Sequence, residues 1–131
     1  SWKLSMSKPE TLPFQKILVF DTTRRDQTGV ALILKKKTHK LVAPVRAQEV
    51  QKLTDELLKI ANIKLEEIDA VAVLTGPGSY TGTRMGVAAA NTLGWLLDMP
   101  ILELEGDSLD NALNQLKGRP PKSVTQARSR Y

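Results

Sequence analysis

The sequence predicts an α/β domain on one mixed, five-stranded sheet, ordered βββαβαβα, with helices on its faces. Three observations carry this. Three short apolar runs fill the stretch from Lys16 to Val45, close enough together to form antiparallel hairpins. At about Arg46 the apolar spacing changes from a strand period to a helical one. From Ala70 onward short apolar runs alternate with helical segments, the pattern of right-handed crossovers that extend a sheet in parallel. The 131 residues suffice for one domain with a real core.

Residues 1–15 show no periodicity and are read as a flexible extension, with Trp2 and Phe14 as its large anchors. Residues 16–117 form the predicted domain. Lys16–Thr22 is the first strand, apolar throughout and therefore central. Gly29–Leu34 is the second. Lys35-Lys36-Lys37-Thr38 makes a solvated hairpin tip, and His39–Val45 is a weaker third strand that Pro44 confines to an edge. The helix predicted over 46–61 places Val50, Leu53, Leu57, Leu58 and Ala61 on one face. Ala70–Leu74 is a strand buried on both faces. A helix over 79–97 and a strand at Ile101–Leu104 follow, and Ser108 or Asp107 caps a last helix to about Leu116. Gly118 and Pro120-Pro121 stop it. Residues 118–131 are read as a basic, disordered tail.

The stretch Thr75–Gly94 organises the rest. Gly76-Pro77-Gly78 breaks the strand, and the hydroxyl of Ser79 or Thr81 can cap the helix that begins there. Gly82, Gly86, Ala90 and Gly94 recur every four residues and form one stripe with almost no side chain. Each helical glycine costs roughly 0.5–1 kcal/mol relative to alanine, so the stripe marks a close approach. Either the helix lies tightly on its own sheet, or a second helix approaches from outside. The glycine turn is likewise open to two readings. Gly76, Gly78, Ser79 and Thr81, with Asp21 at the end of the first strand, can form a nucleotide loop at a helix N-terminus. It is not a P-loop, because the Gly-Lys-Ser/Thr ending is absent.

Gly76-Pro77-Gly78-Ser79-Tyr80-Thr81-Gly82-Thr83-Arg84-Met85-Gly86 resembles the GPGSFTGLRIG signature of the TsaB (YeaZ) family, and the likeness extends from about Lys16 to about Leu116. The element order is similar to the ribonuclease H-like lobe of the actin-like ATPase superfamily. Complete members of the family have two such lobes, so the resemblance covers the first. It implies a non-catalytic accessory subunit of the complex that makes threonylcarbamoyladenosine in tRNA. On that implication, helices 46–61 and 79–97 pair with two similar helices of the catalytic subunit TsaD, or with a second copy as a homodimer. The expected interface comprises Tyr80, Gly82, Arg84, Gly86, Val87, Ala90 and Gly94, with Val50, Leu53 and Leu57 from the first helix. A TsaE-like ATPase joins the complex, which meets tRNA. ATP and magnesium belong to the partners, so no cofactor is expected on this chain, and the compartment implied is the cytoplasm. Two alternatives stand beside this: a small nucleotide-binding enzyme of the actin-like ATPase superfamily, and a homodimeric regulatory protein.

Other chemistry is poorly supported. There is no cysteine, and His39 is the single histidine, so neither a zinc site nor a triad is assembled from the usual groups. Asp21 has no second acid at the end of the fourth strand, where Thr75-Gly76 stands, so a two-metal site is not expected. Equally, Asp21 can bond its own turn at Thr22–Arg24. No apolar run approaches the roughly 20 residues that cross a bilayer. The net charge of +5 resembles a nucleic-acid signal, but five basic residues and no acid lie from Lys117 onward, and the body from Ile17 to Leu116 is slightly acidic.

Overall fold

A computed structural model describes residues 14–117 and 123–130. Its sheet has the strands β1 (Ile17–Arg24), β2 (Gln27–Ile33), β3 (Thr38–Ala43), β4 (Ala70–Leu74), β5 (Ile101–Leu104) and β6 (Ser123–Val124). Their order is β3-β2-β1-β4-β5-β6. β1, β2 and β3 are antiparallel neighbours, β4 and β5 run parallel to β1, and β6 returns antiparallel to β5. The helices are α1 (Val50–Ala61), α2 (Tyr80–Leu97) and α3 (Leu109–Lys117). The order βββαβαβα is therefore present, and β6 adds a sixth strand.

The two-residue period of the central strand divides the core. Leu18 and Phe20 point to one face, where α1 and α2 cover them through Val50, Leu53, Leu57, Val87 and Ala90. Ile17 and Val19 point to the other, beneath Leu109, Leu113 and Leu116 of α3. An apolar strand with both faces covered is what a parallel sheet centre requires. β3 lies at the outer edge with alternating exposure, and the lysine tip before it is solvated. The Lys40 ammonium lies 2.8 Å from Asp110, tying this edge to α3 and holding the Asp110 carboxyl below its ordinary range.

Local chemistry ends each helix. Residues Ala47–Glu49 form a 3-10 turn, so the regular helix starts at Val50, later than the 46 expected. Asn62, in the left-handed region with φ 55°, closes α1, and Ile63 N–H bonds back to the Leu58 carbonyl. Ser79 caps α2, its hydroxyl accepting from Gly82 N–H at 3.2 Å. Ser108 rather than Asp107 caps α3, accepting from Asn111 N–H at 3.1 Å.

Two boundaries need correction. Residues 1–13 of the expected extension lie outside the described residues, but Phe14 packs against the core and Gln15 N–H bonds the Asp69 carboxylate. More importantly, residues 123–130 of the expected disordered tail are seated on the body. β6 pairs with β5, and Ala127 is only 2% exposed. The Asn91 amide of α2 clamps the Ala127 backbone from both sides, donating to its carbonyl at 3.0 Å and accepting from its N–H at 2.7 Å. Arg128 N–H bonds the Glu103 carboxylate, and Arg130 N–H reaches the Thr75 carbonyl. Periodic apolar residues were not needed, because the seat binds mainly backbone, with Ala127 and Val124 against the core and the Arg130 guanidinium 3.3 Å from Glu103 adding to it.

Candidate functional site

The glycine motif begins where β4 ends. Thr75 N–H and hydroxyl both bond the Leu104 carbonyl of β5. Gly76 then takes φ 133°, a conformation that favours glycine, and its carbonyl accepts from Gly106 N–H. The loop lies on the end of β1. Ser79 N–H donates to the Thr23 carbonyl at 2.7 Å. A Cβ at Gly78 would meet the Thr23 carbonyl, one at Gly82 would lie 2.5 Å from the Thr22 carbonyl, and one at Gly86 would collide with the Thr22 hydroxyl. At Gly94 it would lie 2.7 Å from Ile101 Cδ1.

This decides between the two readings of the stripe. Gly82, Gly86 and Ala90 are buried, Gly94 is half-buried, and all four face the chain's own sheet. Val87 is buried beside them. The expectation that these residues form a partner interface is overturned, and so is that for Val50, Leu53 and Leu57, which fill the core under α1. Four-residue recurrence marks a close approach; it does not say toward what. Of the expected interface residues, Tyr80 and Arg84 remain outward. The Arg84 guanidinium sits 5.1 Å from the Tyr80 ring centroid and donates to its hydroxyl at 2.5 Å.

The nucleotide loop also needs correction. Asp21 is 4% exposed, and its Oδ1 accepts from both the N–H (3.0 Å) and the hydroxyl (2.6 Å) of Thr23. It bonds its own turn. Ser79 N–H is spent on Thr23, Gly82 N–H on the Ser79 hydroxyl, and Thr83 N–H on the Ser79 carbonyl. The glycines give room to β1, not to a phosphate. Thr81 faces outward on the first turn of α2. No group of three His, Asp or Glu side chains placed to hold a metal ion occurs among the described residues.

The face of α2 opposite the glycines is open. Tyr80, Arg84, Ala88, Thr92, Trp95 and Leu96 are exposed along it; Tyr80 is 53%, Leu96 61% and Trp95 81% exposed. A groove of about 380 Å³ separates α2 from α1, floored by Val50 and Phe20 and edged by Asp55, Ala89 and Leu96. Ile60, on the last turn of α1, is also exposed. At the other end a hollow of about 340 Å³ is lined by Arg25, Arg46, Ser79, Tyr80 and Met85 among others, with no carboxylate. The expected interface omitted Trp95, Leu96 and Ile60. For Trp95 the signal was its place on the side of α2 opposite the stripe, and for Ile60 its place off the apolar face of α1.

A family model described as "TsaD: tRNA N6-adenosine threonylcarbamoyltransferase" matches residues 40–110, from β3 into α3. The chain is 32% identical over 91 residues to a Haemophilus influenzae protein described as "tRNA threonylcarbamoyladenosine biosynthesis protein TsaB". The chain belongs to this family, in its TsaB (YeaZ) branch. YeaZ from Pseudomonas aeruginosa has the same ribonuclease H-like lobe, with a TM-score of 0.66 and 26% identity over 70% of this chain. The TsaB match covers 67% of this chain but 38% of the Haemophilus protein, and the YeaZ match covers 44% of the Pseudomonas chain, so the chain spans less than half the length of these relatives. A Staphylococcus epidermidis tRNA N6-adenosine threonylcarbamoyltransferase is 44% identical over 48 residues, which cover 37% of this chain and 14% of the transferase. The TsaB-type lobe thus shares part of its sequence with the transferases. No helix among the described residues is long and apolar enough to cross a membrane.

Proposed function

We propose that this chain is a TsaB-type accessory lobe in tRNA threonylcarbamoyladenosine biosynthesis, one that performs no chemistry itself and docks on a TsaD-like catalytic subunit through the outward faces of α1 and α2. One observation carries the reading: the glycine motif is consumed internally, on β1, and this leaves α2 presenting Tyr80, Arg84, Trp95 and Leu96 to solvent. Large exposed apolar side chains aligned on one rigid helix support a protein contact rather than a small-molecule site. The sheet carries the helix, the glycines lower it onto β1, and the outward face is left in a fixed orientation for a partner. ATP and magnesium are assigned to the catalytic subunit and to a TsaE-like ATPase, tRNA meets the assembled complex, and the compartment is the cytoplasm.

The test is size-exclusion chromatography with mass measurement on the chain, alone and with the TsaD-like subunit of the same organism. A one-to-one complex is expected. Arg84→Glu reverses a charge on the exposed face and should weaken that complex about tenfold or more while leaving the melting temperature within a degree or two. A chain that never associates with the catalytic subunit, or ATP turnover by the chain alone that is lost in Asp21→Ala, would overturn the reading.

A further inference from the structure

Residues 123–130 are held as a bound peptide is held. Ser123 and Val124 pair with Leu102 and Ile101 on the free edge of β5, the chain bends at Thr125 and Gln126, and Ala127 to Arg130 then lie against the body. The body meets this second stretch with fixed polar groups. The Asn91 amide bonds both the carbonyl and the N–H of Ala127. Glu103 Oε2 accepts from Arg128 N–H at 2.8 Å, and the Thr75 carbonyl accepts from Arg130 N–H. The body's own core does not lean on the segment. Ile101 packs under α2, and Leu102 and Leu104 pack under α3. The segment adds one fully buried side chain, the methyl group of Ala127, with Val124 half-buried beside it.

Two side chains are read, and two are not. Ala127 is enclosed in the core where Asn91 grips its backbone, so the position takes a small residue only. Three positions on, the Arg130 guanidinium lies 3.3 Å from Glu103 Oε1, so one carboxylate binds the main chain at 128 and a cation at 130. Neither the Arg128 nor the Ser129 side chain makes a hydrogen bond or ion pair among the described residues. Affinity from main-chain bonds with selectivity from a few side-chain positions is how extended peptides are recognised. We propose that Asn91, Glu103 and the Thr75 carbonyl form a docking site for an extended segment with a small residue followed three positions later by arginine, and that residues 127–130 are its detachable occupant. Any second segment of that pattern competes for the site, and the tether through residues 118–122 favours the resident one.

The test uses the full chain with a specific protease site inserted between Gly118 and Arg119, cleaved after folding. A fluorescent peptide of residues 121–131 is then added in excess and followed by anisotropy. The cleaved chain is expected to stay folded and to take up one peptide. The uncleaved chain should bind it at least about tenfold more weakly, because the tethered occupant is present at a high effective concentration. Peptides carrying Ala127→Leu or Arg130→Glu should bind the cleaved chain about tenfold or more weakly, and so should the unsubstituted peptide to a cleaved chain with Asn91→Ala. Arg128→Ala in the peptide should change binding by less than about twofold, since its N–H is retained. A cleaved chain that unfolds, or that takes up no labelled peptide, overturns the docking site. Equal binding of the Ala127→Leu and Arg130→Glu peptides overturns the pattern.

Discussion

Gly86 has no room for a methyl group. Its missing side chain is replaced by Thr22, whose hydroxyl, Cβ and Cγ2 crowd the position where a Cβ would lie. Thr22 is fully buried, so it cannot swing aside. Gly86→Ala should therefore lower stability by about 1–3 kcal/mol, even though alanine is the better helix former. Adding Thr22→Ala removes the two closest side-chain branches and should restore part of the loss, a coupling that thermal unfolding of the four-member cycle measures. No recovery in the double variant would mean that the clash lies elsewhere. Thr83 offers the opposite case. Its hydroxyl is buried and has no hydrogen-bond partner among the described residues. Thr83→Val should be neutral or should stabilise by up to about 1 kcal/mol, because the hydroxyl's desolvation is not repaid. A fall of several degrees in melting temperature would indicate a bond to that hydroxyl. Residue identity made the close approach at Gly86 legible in the sequence; its direction was not, because the deciding neighbour lies 64 positions earlier, on β1.

At the level of elements the sequence was most informative where the period was strict. Leu18 and Phe20 against Ile17 and Val19 separate the two halves of the core, and Val50, Leu53 and Leu57 mark the buried side of α1. Those positions were assigned both to a helix face and to an interface, and the face is satisfied internally. Burying a leucine of this kind contributes about 1.5–3 kcal/mol, which a partner would otherwise have to supply. The outward face was harder to see. It has no repeat, mixing an aromatic, a cation, a small residue and an indole, and it is defined only as what remains once the glycine side is known to face β1. Its use by a partner is what the Arg84 variant measures.

On the scale of the molecule, the segment 123–130 is the largest departure from expectation. Its apolar content is low, and its seat reads mostly main-chain atoms through the β5 edge, Asn91, Glu103 and Thr75; the side chains that add to it, Val124 and Ala127 against the core and Arg130 on Glu103, form no periodic pattern that would announce it. Asn91→Ala removes both clamps on Ala127 and should cost about 1–3 kcal/mol. It should also speed hydrogen exchange at the amides of Ala127, Arg128 and Arg130 while leaving β1 and β4 protected. Unchanged exchange at those three amides would show that the segment is held without the clamp. A main-chain grip has one further consequence. The main-chain bonds of Ala127 and Arg128 do not depend on which side chains stand there, and only Arg130 adds a side-chain bond, its guanidinium to Glu103, whereas a single change at position 91 removes both bonds to Ala127. Part of the information that positions the segment is thus written in α2, and a mutational library spread over both would find an intolerant site there, a helical turn from Trp95.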